Sequence, residues 1–193
     1  MPRLLASIAL ALTLAGCATT PRTPDTTSVT FIVIRHAEKV DASRDPDLSP
    51  AGHARAQALA ASLGERELAA AYATEFKRTS QTLAPTVQAR GLAITPYPAG
   101  QPATEFAARL RAAHPRGTVL IAGHSNTVPD IVAALCACAV APMADYDYDR
   151  MSIARLDADG SALLVVTRCG ARSPAPRCPT AAITRSSSWM AAT

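Results

Sequence analysis

A three-layer α/β sandwich with a mainly parallel sheet is the fold class this sequence predicts, and three observations predict it. β-branched apolar runs alternate along the chain with Ala-rich stretches of helical length. The two clearest runs, Val29 to Ile34 and Thr118 to Ala122, have the continuous apolar character of strands buried on both faces. The chain has 193 residues, 49% hydrophobic and 18% charged, which suits one core and leaves little room for a second domain. That balance also excludes a chain disordered throughout.

The first strand is Val29 to Ile34, ending at Arg35-His36. Asp45 to Ser49 is a polar loop, and Ser49-Pro50 supplies an N-cap followed by Pro at the first helical position. The Ala-rich helix that follows runs to Leu63, where Gly64 stops it. Ala69 to Ala73 is a second strand, followed by a helix from Lys77 to Arg90 that Pro85 should bend and Gly91 should end. Leu92-Ala93-Ile94 is a weak third strand. After the Pro-rich loop of Pro96, Pro98, Gly100 and Pro102, Ala103 to Ala113 reads as helix. Thr118 to Ala122 leads into Gly123-His124-Ser125-Asn126 and a helix reaching Cys138. Met151 to Leu156 and Ala162 to Thr167, joined by Asp157-Ala158-Asp159-Gly160, form a C-terminal hairpin.

The two ends read differently. Arg3 and the apolar run Leu4 to Leu14 have the charged start and short apolar middle of an export signal, too short for a spanning helix. Residues 1–16 are therefore expected to be a signal peptide and 17–28, rich in Thr and Pro, a tether. Residues 29–170 form the folded domain, and 171–193, rich in Ser, Pro, Arg and Thr, read as a disordered tail. Leu14-Ala15-Gly16-Cys17 is similar to the lipobox of bacterial lipoproteins. That resemblance implies cleavage before Cys17, acylation of Cys17 and attachment of an exported protein to the membrane without a spanning segment. Ala18 in place of Asp favours the periplasmic side of the outer membrane. Export permits disulfides among Cys136, Cys138, Cys169 and Cys178, with three possible pairings. A metal site at Cys136 and Cys138, one residue apart with no His nearby, is the weaker alternative.

A formal charge of +4 and only 4% aromatics argue against a nucleic-acid partner. The charge does suit a site that receives an anion. Two strands end in a histidine, at Arg35-His36 and at Gly123-His124, and Lys77-Arg78 follows the second strand. Ligands of open parallel sheets bind beyond the carboxyl ends of the strands, so neighbouring strands would bring two His and two Arg to one mouth. Arg matches phosphate oxygens with planar paired donors, and neutral imidazole is a nucleophile toward phosphorus. The helix after Asn126 would add backbone N–H groups.

These residues resemble the signatures of the histidine phosphatase superfamily, the phosphoglycerate-mutase-like group. Its R-H-G motif is similar to Arg35-His36-Ala37-Glu38-Lys39, with Ala in place of Gly. Its L-[ST]-x-x-G segment is similar to Leu48-Ser49-Pro50-Ala51-Gly52. A third segment is matched by Thr74, Arg78, Thr79 and Thr82, and the second histidine by Gly123-His124-Ser125-Asn126. The resemblance covers Val29 to Leu135 in family order and is nearer the short phosphatase branch than the mutases. It implies that His36 attacks phosphorus and becomes a phosphohistidine, while Arg35, Arg78 and His124 bind the phosphoryl oxygens. It implies neither metal nor cofactor. By family spacing from Arg78 the proton donor falls on Glu105, whose alternative is an exposed residue in a first helical turn. Glu38, beside the nucleophile, is the competing acid, or else pairs with Arg78 or Lys39.

His53 and His114 read as structural. Lys39 either joins the phosphate field or is an exposed loop residue. Asp145-Tyr146-Asp147-Tyr148-Asp149 reads as a solvated loop rather than a set of calcium ligands, because it lacks an EF-hand's Gly and closing Glu. The expected function is thus a membrane-anchored periplasmic phosphatase acting on a small phosphorylated substrate, envelope sugar phosphates among them. The alternatives are a phosphatase specific for phosphohistidine or heptose phosphate, and a non-catalytic envelope lipoprotein that binds phosphate. A zinc enzyme built on His36 and His124 is disfavoured, because Arg35 and Arg78 would repel the cation.

Overall fold

The computed structural model describes residues 28–173. The expected signal peptide, Cys17, Cys178 and the tail beyond Ser173 lie outside the described residues. Six strands form one sheet in the order β3-β2-β4-β1-β5-β6. They are β1 (Val29–Arg35), β2 (Ala70–Thr74), β3 (Ile94–Tyr97), β4 (Gly117–Gly123), β5 (Arg150–Leu156) and β6 (Ala162–Arg168). The pairs β1–β4, β2–β4 and β2–β3 are parallel, whereas β5 runs antiparallel to β1 and to β6. The mixed α/β class and the C-terminal hairpin follow the sequence expectation, with the hairpin continuing the main sheet.

Four helices cover both faces: α1 (Pro50–Leu63), α2 (Lys77–Gln88), α3 (Ala103–Ala113) and α4 (Val128–Cys136). Successive side chains of a strand point to opposite faces, and β1 divides its residues accordingly. Phe31 and Val33 join Phe106, Leu110 and Val132 of α3 and α4 in one core cluster. Ile32 and Ile34 join Leu59, Leu63, Leu83 and Val87 of α1 and α2 in the other. Both faces of β1 are therefore buried, each large side chain contributing about 1.5–3 kcal/mol. This explains why its sequence is continuously apolar.

The helix signals act locally as expected at α1. Ser49 Oγ accepts from the Gly52 N–H at 3.1 Å, Pro50 opens the helix, and Gly64 at φ 50° closes it. Gly52 has a second role, because a Cβ there would stand 2.3 Å from the Glu38 carbonyl oxygen. The helix start thus packs directly on the loop after β1, where Ser49 N–H also donates to Glu38 O at 2.9 Å.

Three boundaries differ from expectation. Helix α2 ends at Gln88, three residues after Pro85, and Gly91 at φ 59° lets the Leu92 N–H return to Val87 O at 3.0 Å. Leu92 and Ala93 precede β3, which includes Pro96 instead; as an edge strand β3 tolerates the missing donor. Helix α4 stops at Cys136 rather than Cys138, because Ala137 turns left-handed at φ 51° and Cys136 and Cys138 form a disulfide. That bond settles one pairing, removes both sulfurs as metal ligands and leaves Cys169 buried and without a disulfide partner among the described residues.

Candidate active site

The carboxyl ends of β1, β4 and β2 meet at one edge of the sheet. Arg35 lies beside Gly123 in the β1–β4 register, Ala73 lies beside Ala122 in β2–β4, and His36 N–H donates to Gly123 O at 2.9 Å. Above them opens a cavity of about 430 Å³ whose walls include Arg35, His36, Arg78 and His124. The four side chains assembled from the sequence do converge. Lys39 lines the same cavity, as do Ser125 and Asn126 at the approach to α4.

His36 is 3% exposed, and its Nδ1 lies 2.7 Å from the Ala37 carbonyl oxygen. A carbonyl only accepts, so Nδ1 carries the proton and Nε2 keeps its lone pair. Burial, with smaller contributions from Arg35, His124 and Arg78, pushes the His36 pKa down to about 3. The ring is neutral at neutral pH, as a nucleophile requires. Its loop is pinned by Ala37 N–H, which donates to Thr82 Oγ1 at 2.9 Å, while Thr82 Oγ1 donates to Arg78 O at 2.6 Å. Ala37 is fully buried, in the place of the motif's Gly.

His124 is oriented the other way. The guanidinium of Arg78 only donates, and its Nη2 approaches His124 Nδ1 at 3.5 Å. Nδ1 is therefore the acceptor, and Nε2–H donates to Thr74 Oγ1 at 3.0 Å. Thr74 donates on to Thr79 Oγ1 at 3.0 Å, and Thr79 donates to Phe76 O at 2.6 Å. Burial first and Arg78 second lower the His124 pKa to about 4. The threonines of the third motif are thus the scaffold that sets one histidine's tautomer and holds the other's loop.

The arginines are braced but not spent. Arg35 uses Nη1 on the carbonyls of Ala144 and Asp145, at 3.1 and 2.7 Å, and stacks 4.1 Å above the Tyr148 ring. Arg78 stacks 4.2 Å above Phe76 and has Asp45 at 3.8 Å. The Nε atoms of both arginines are buried without a hydrogen-bond partner. Both guanidinium side chains line one polar cavity, and planar cations there fit an anionic ligand such as phosphate. No group of three or more His, Cys, Asp or Glu among the described residues is placed to hold a metal ion.

The two candidate acids are elsewhere. Glu105 is exposed in the first turn of α3 and does not line the cavity, so the family spacing from Arg78 does not bring it there. Glu38 pairs with Arg55 rather than Arg78 or Lys39, through Nη2 at 2.5 Å and Nε at 2.9 Å. Burial alone would raise the Glu38 pKa, but the Arg55 hydrogen bonds outweigh it and hold the carboxylate ionised. His53 is exposed in α1, and His114 accepts or donates a 2.8 Å bond with Tyr72 OH.

Residues 145–149 correct the expectation of a solvated loop in part: Asp145 and Tyr146 are exposed, and the other three are not. Asp147 and Asp149 are buried and pair with Arg150 and Arg168, at 2.7 and 2.5 Å, while Asp145 and Tyr148 line the cavity. The pairing of β5 supplied the missing signal: antiparallel to β1, it sets Met151 beside Ile34. The residues just before β5 must then sit where β1 ends.

The α/β sheet thus carries two arginines and two histidines around one cavity at its strand ends. Residues 31–101 match the family model of the histidine phosphatase superfamily (branch 1), a span that holds Arg35, His36 and Arg78 and stops before His124. No curated protein sequence matches the chain significantly. Among solved structures, the mycobacterial glucosyl-3-phosphoglycerate phosphatase Rv2419c is similar at TM-score 0.60 and 14% identity, over 74% of this chain and 100% of that one. The protein histidine phosphatase SixA complexed with tungstate is similar at TM-score 0.61 and 22% identity, over 72% and 96%. YhfR of Bacillus stearothermophilus follows at 0.57 and 18%, over 72% and 96%. These likenesses show the fold. The family match is what supports a histidine-type phosphatase.

Proposed function

We propose that the chain hydrolyses phosphomonoesters through a phosphohistidine on His36. The observation that carries this reading is His36 itself: buried, neutral, with Nε2 free and two arginines lining the same cavity. Nε2 attacks phosphorus, the N–P bond forms as the bond to the leaving oxygen breaks, and the leaving oxygen takes a proton. Water then attacks phosphorus, the N–P bond breaks, and inorganic phosphate departs. Arg35 and Arg78 bind the phosphoryl oxygens throughout. Since neither Glu38 nor Glu105 lines the cavity, His124 serves the leaving group: its Nδ1 accepts the proton that a phosphate monoanion brings and passes it on.

Trapping with a labelled aryl phosphate, with metals chelated, tests this reading. Wild type should give an acid-labile phosphoenzyme and turnover, and His36→Ala should give neither while still folded. Turnover by His36→Ala at the wild-type rate would overturn it. The likeness to SixA favours a second reading in which phosphohistidine is itself the substrate. The proposal places the enzyme on the periplasmic side of the outer membrane, anchored through Cys17, with envelope sugar phosphates within reach. The support is Leu14-Ala15-Gly16-Cys17, and loss of lipid labelling in Cys17→Ala is the expected outcome.

A further inference from the structure

The cavity holds a group that neither phosphate binding nor the nucleophile needs. Of the residues lining it, Arg35, Lys39 and Arg78 are cationic, and Asp145 alone carries a carboxyl group. This carboxyl is placed rather than loose. The Asp145 carbonyl accepts from Arg35 Nη1 at 2.7 Å, and Oδ1 accepts from Ser125 Oγ at 3.0 Å. Ser125 follows His124, so residue 145 is tied through its carboxylate to the loop after β4 and through its backbone to the end of β1. Toward Ser125 it is the hydrogen-bond acceptor, and Arg35, Lys39 and Arg78 line the cavity around it.

A carboxylate against the phosphoryl oxygens would be repelled, so Asp145 must serve the other end of the substrate. Building on the phosphatase reading, we infer that Asp145 selects phosphomonoesters whose leaving group carries an ammonium, such as aminoalkyl phosphates. The arginines take the dianionic end and the single carboxylate takes the cationic end. The same carboxylate disfavours leaving groups that bear a second anion.

The test compares kcat/KM for phosphoethanolamine, its uncharged analogue 2-hydroxyethyl phosphate, and 3-phosphoglycerate. Wild type should prefer the ammonium ester over the hydroxyl ester by about two- to fivefold, the range of an exposed ion pair. Asp145→Asn should bring that ratio toward one, Asp145→Glu should retain part of it, and Asp145→Lys should reverse it and favour 3-phosphoglycerate. A wild-type ratio near one overturns the inference, as does a ratio that survives Asp145→Asn. An equal fall on all three esters in Asp145→Asn also overturns it, since that is a positioning or proton-transfer effect. Labelling of wild-type His36 by aryl phosphate separates the two claims. A phosphoenzyme with a flat ratio sinks only the specificity, whereas no phosphoenzyme sinks the phosphatase reading beneath it.

Discussion

The loops after β1 and β4 each deliver a buried histidine to the same cavity, with ring centroids 5.4 Å apart, yet they hold the rings by opposite nitrogens. His36 ties Nδ1 to a backbone carbonyl in its own loop and offers Nε2. His124 ties Nε2 to a hydroxyl on another strand and offers Nδ1. A carbonyl accepts only, so the His36 tautomer is permanent and its lone pair is always presented. A hydroxyl both gives and receives, so the chain through Thr74 and Thr79 can adapt when His124 gains a proton. In the proposed mechanism the first ring attacks and the second changes charge.

The sharpest way to break that contrast is His124→Ala. It should lower kcat by about 10²–10³-fold, the size of losing one preorganised partner of the transition state, while a phosphoenzyme on His36 still forms slowly. Rapid-quench labelling checks both parts. Gly52→Ala attacks the His36 side through its support, since the new methyl meets the Glu38 carbonyl at 2.3 Å and the backbone must move. A loss of about 3 kcal/mol in urea unfolding is expected, together with reduced activity. Thr74→Val is milder. It should leave stability within about 2 kcal/mol and cut kcat about tenfold, with little change in KM for an aryl phosphate.

Protons provide the smallest and most general test. His36 and His124 have folded pKa values of about 3 and about 4, below the ordinary 6.5. Below pH 6.5 the unfolded chain binds protons that the folded site refuses, so stability is full above 6.5 and declines as pH falls toward 3. Each ring costs about 1.4 kcal/mol per pH unit in that window. Urea unfolding of His36→Asn at pH 7, 5.5 and 4.5 should show a shallower decline than wild type. An equal slope would mean that the ring is not buried as a neutral group.

The parts of this site that were legible in the sequence are those encoded by contiguous residues. Val29 to Ile34 announces a buried strand because both faces of β1 are covered, and the histidine after it follows at a fixed place. Ser49-Pro50 and Gly64 mark α1 because caps act within a few residues of themselves. Arg55 as the partner of Glu38, and Asp145 and Tyr148 as cavity walls, depend on which strand lies beside which. Nothing in Asp145 to Asp149 states that β5 runs back along β1, so these residues read as solvent-facing until the pairing is known. Glu105 failed for a related reason: a count from Arg78 measures chain length, and the Pro-rich loop decides where that length is spent.

Arg55 carries one more consequence. Besides gripping Glu38, its Nη1 donates to the carbonyls of Cys169 and Ala171, both at 2.8 Å. One guanidinium therefore bolts helix α1, the loop that carries His36 and the exit of β6 into a single joint. Loosening that joint would be felt in the loop that carries His36, although Arg55 and the carbonyl of Cys169 lie 114 positions apart in the chain.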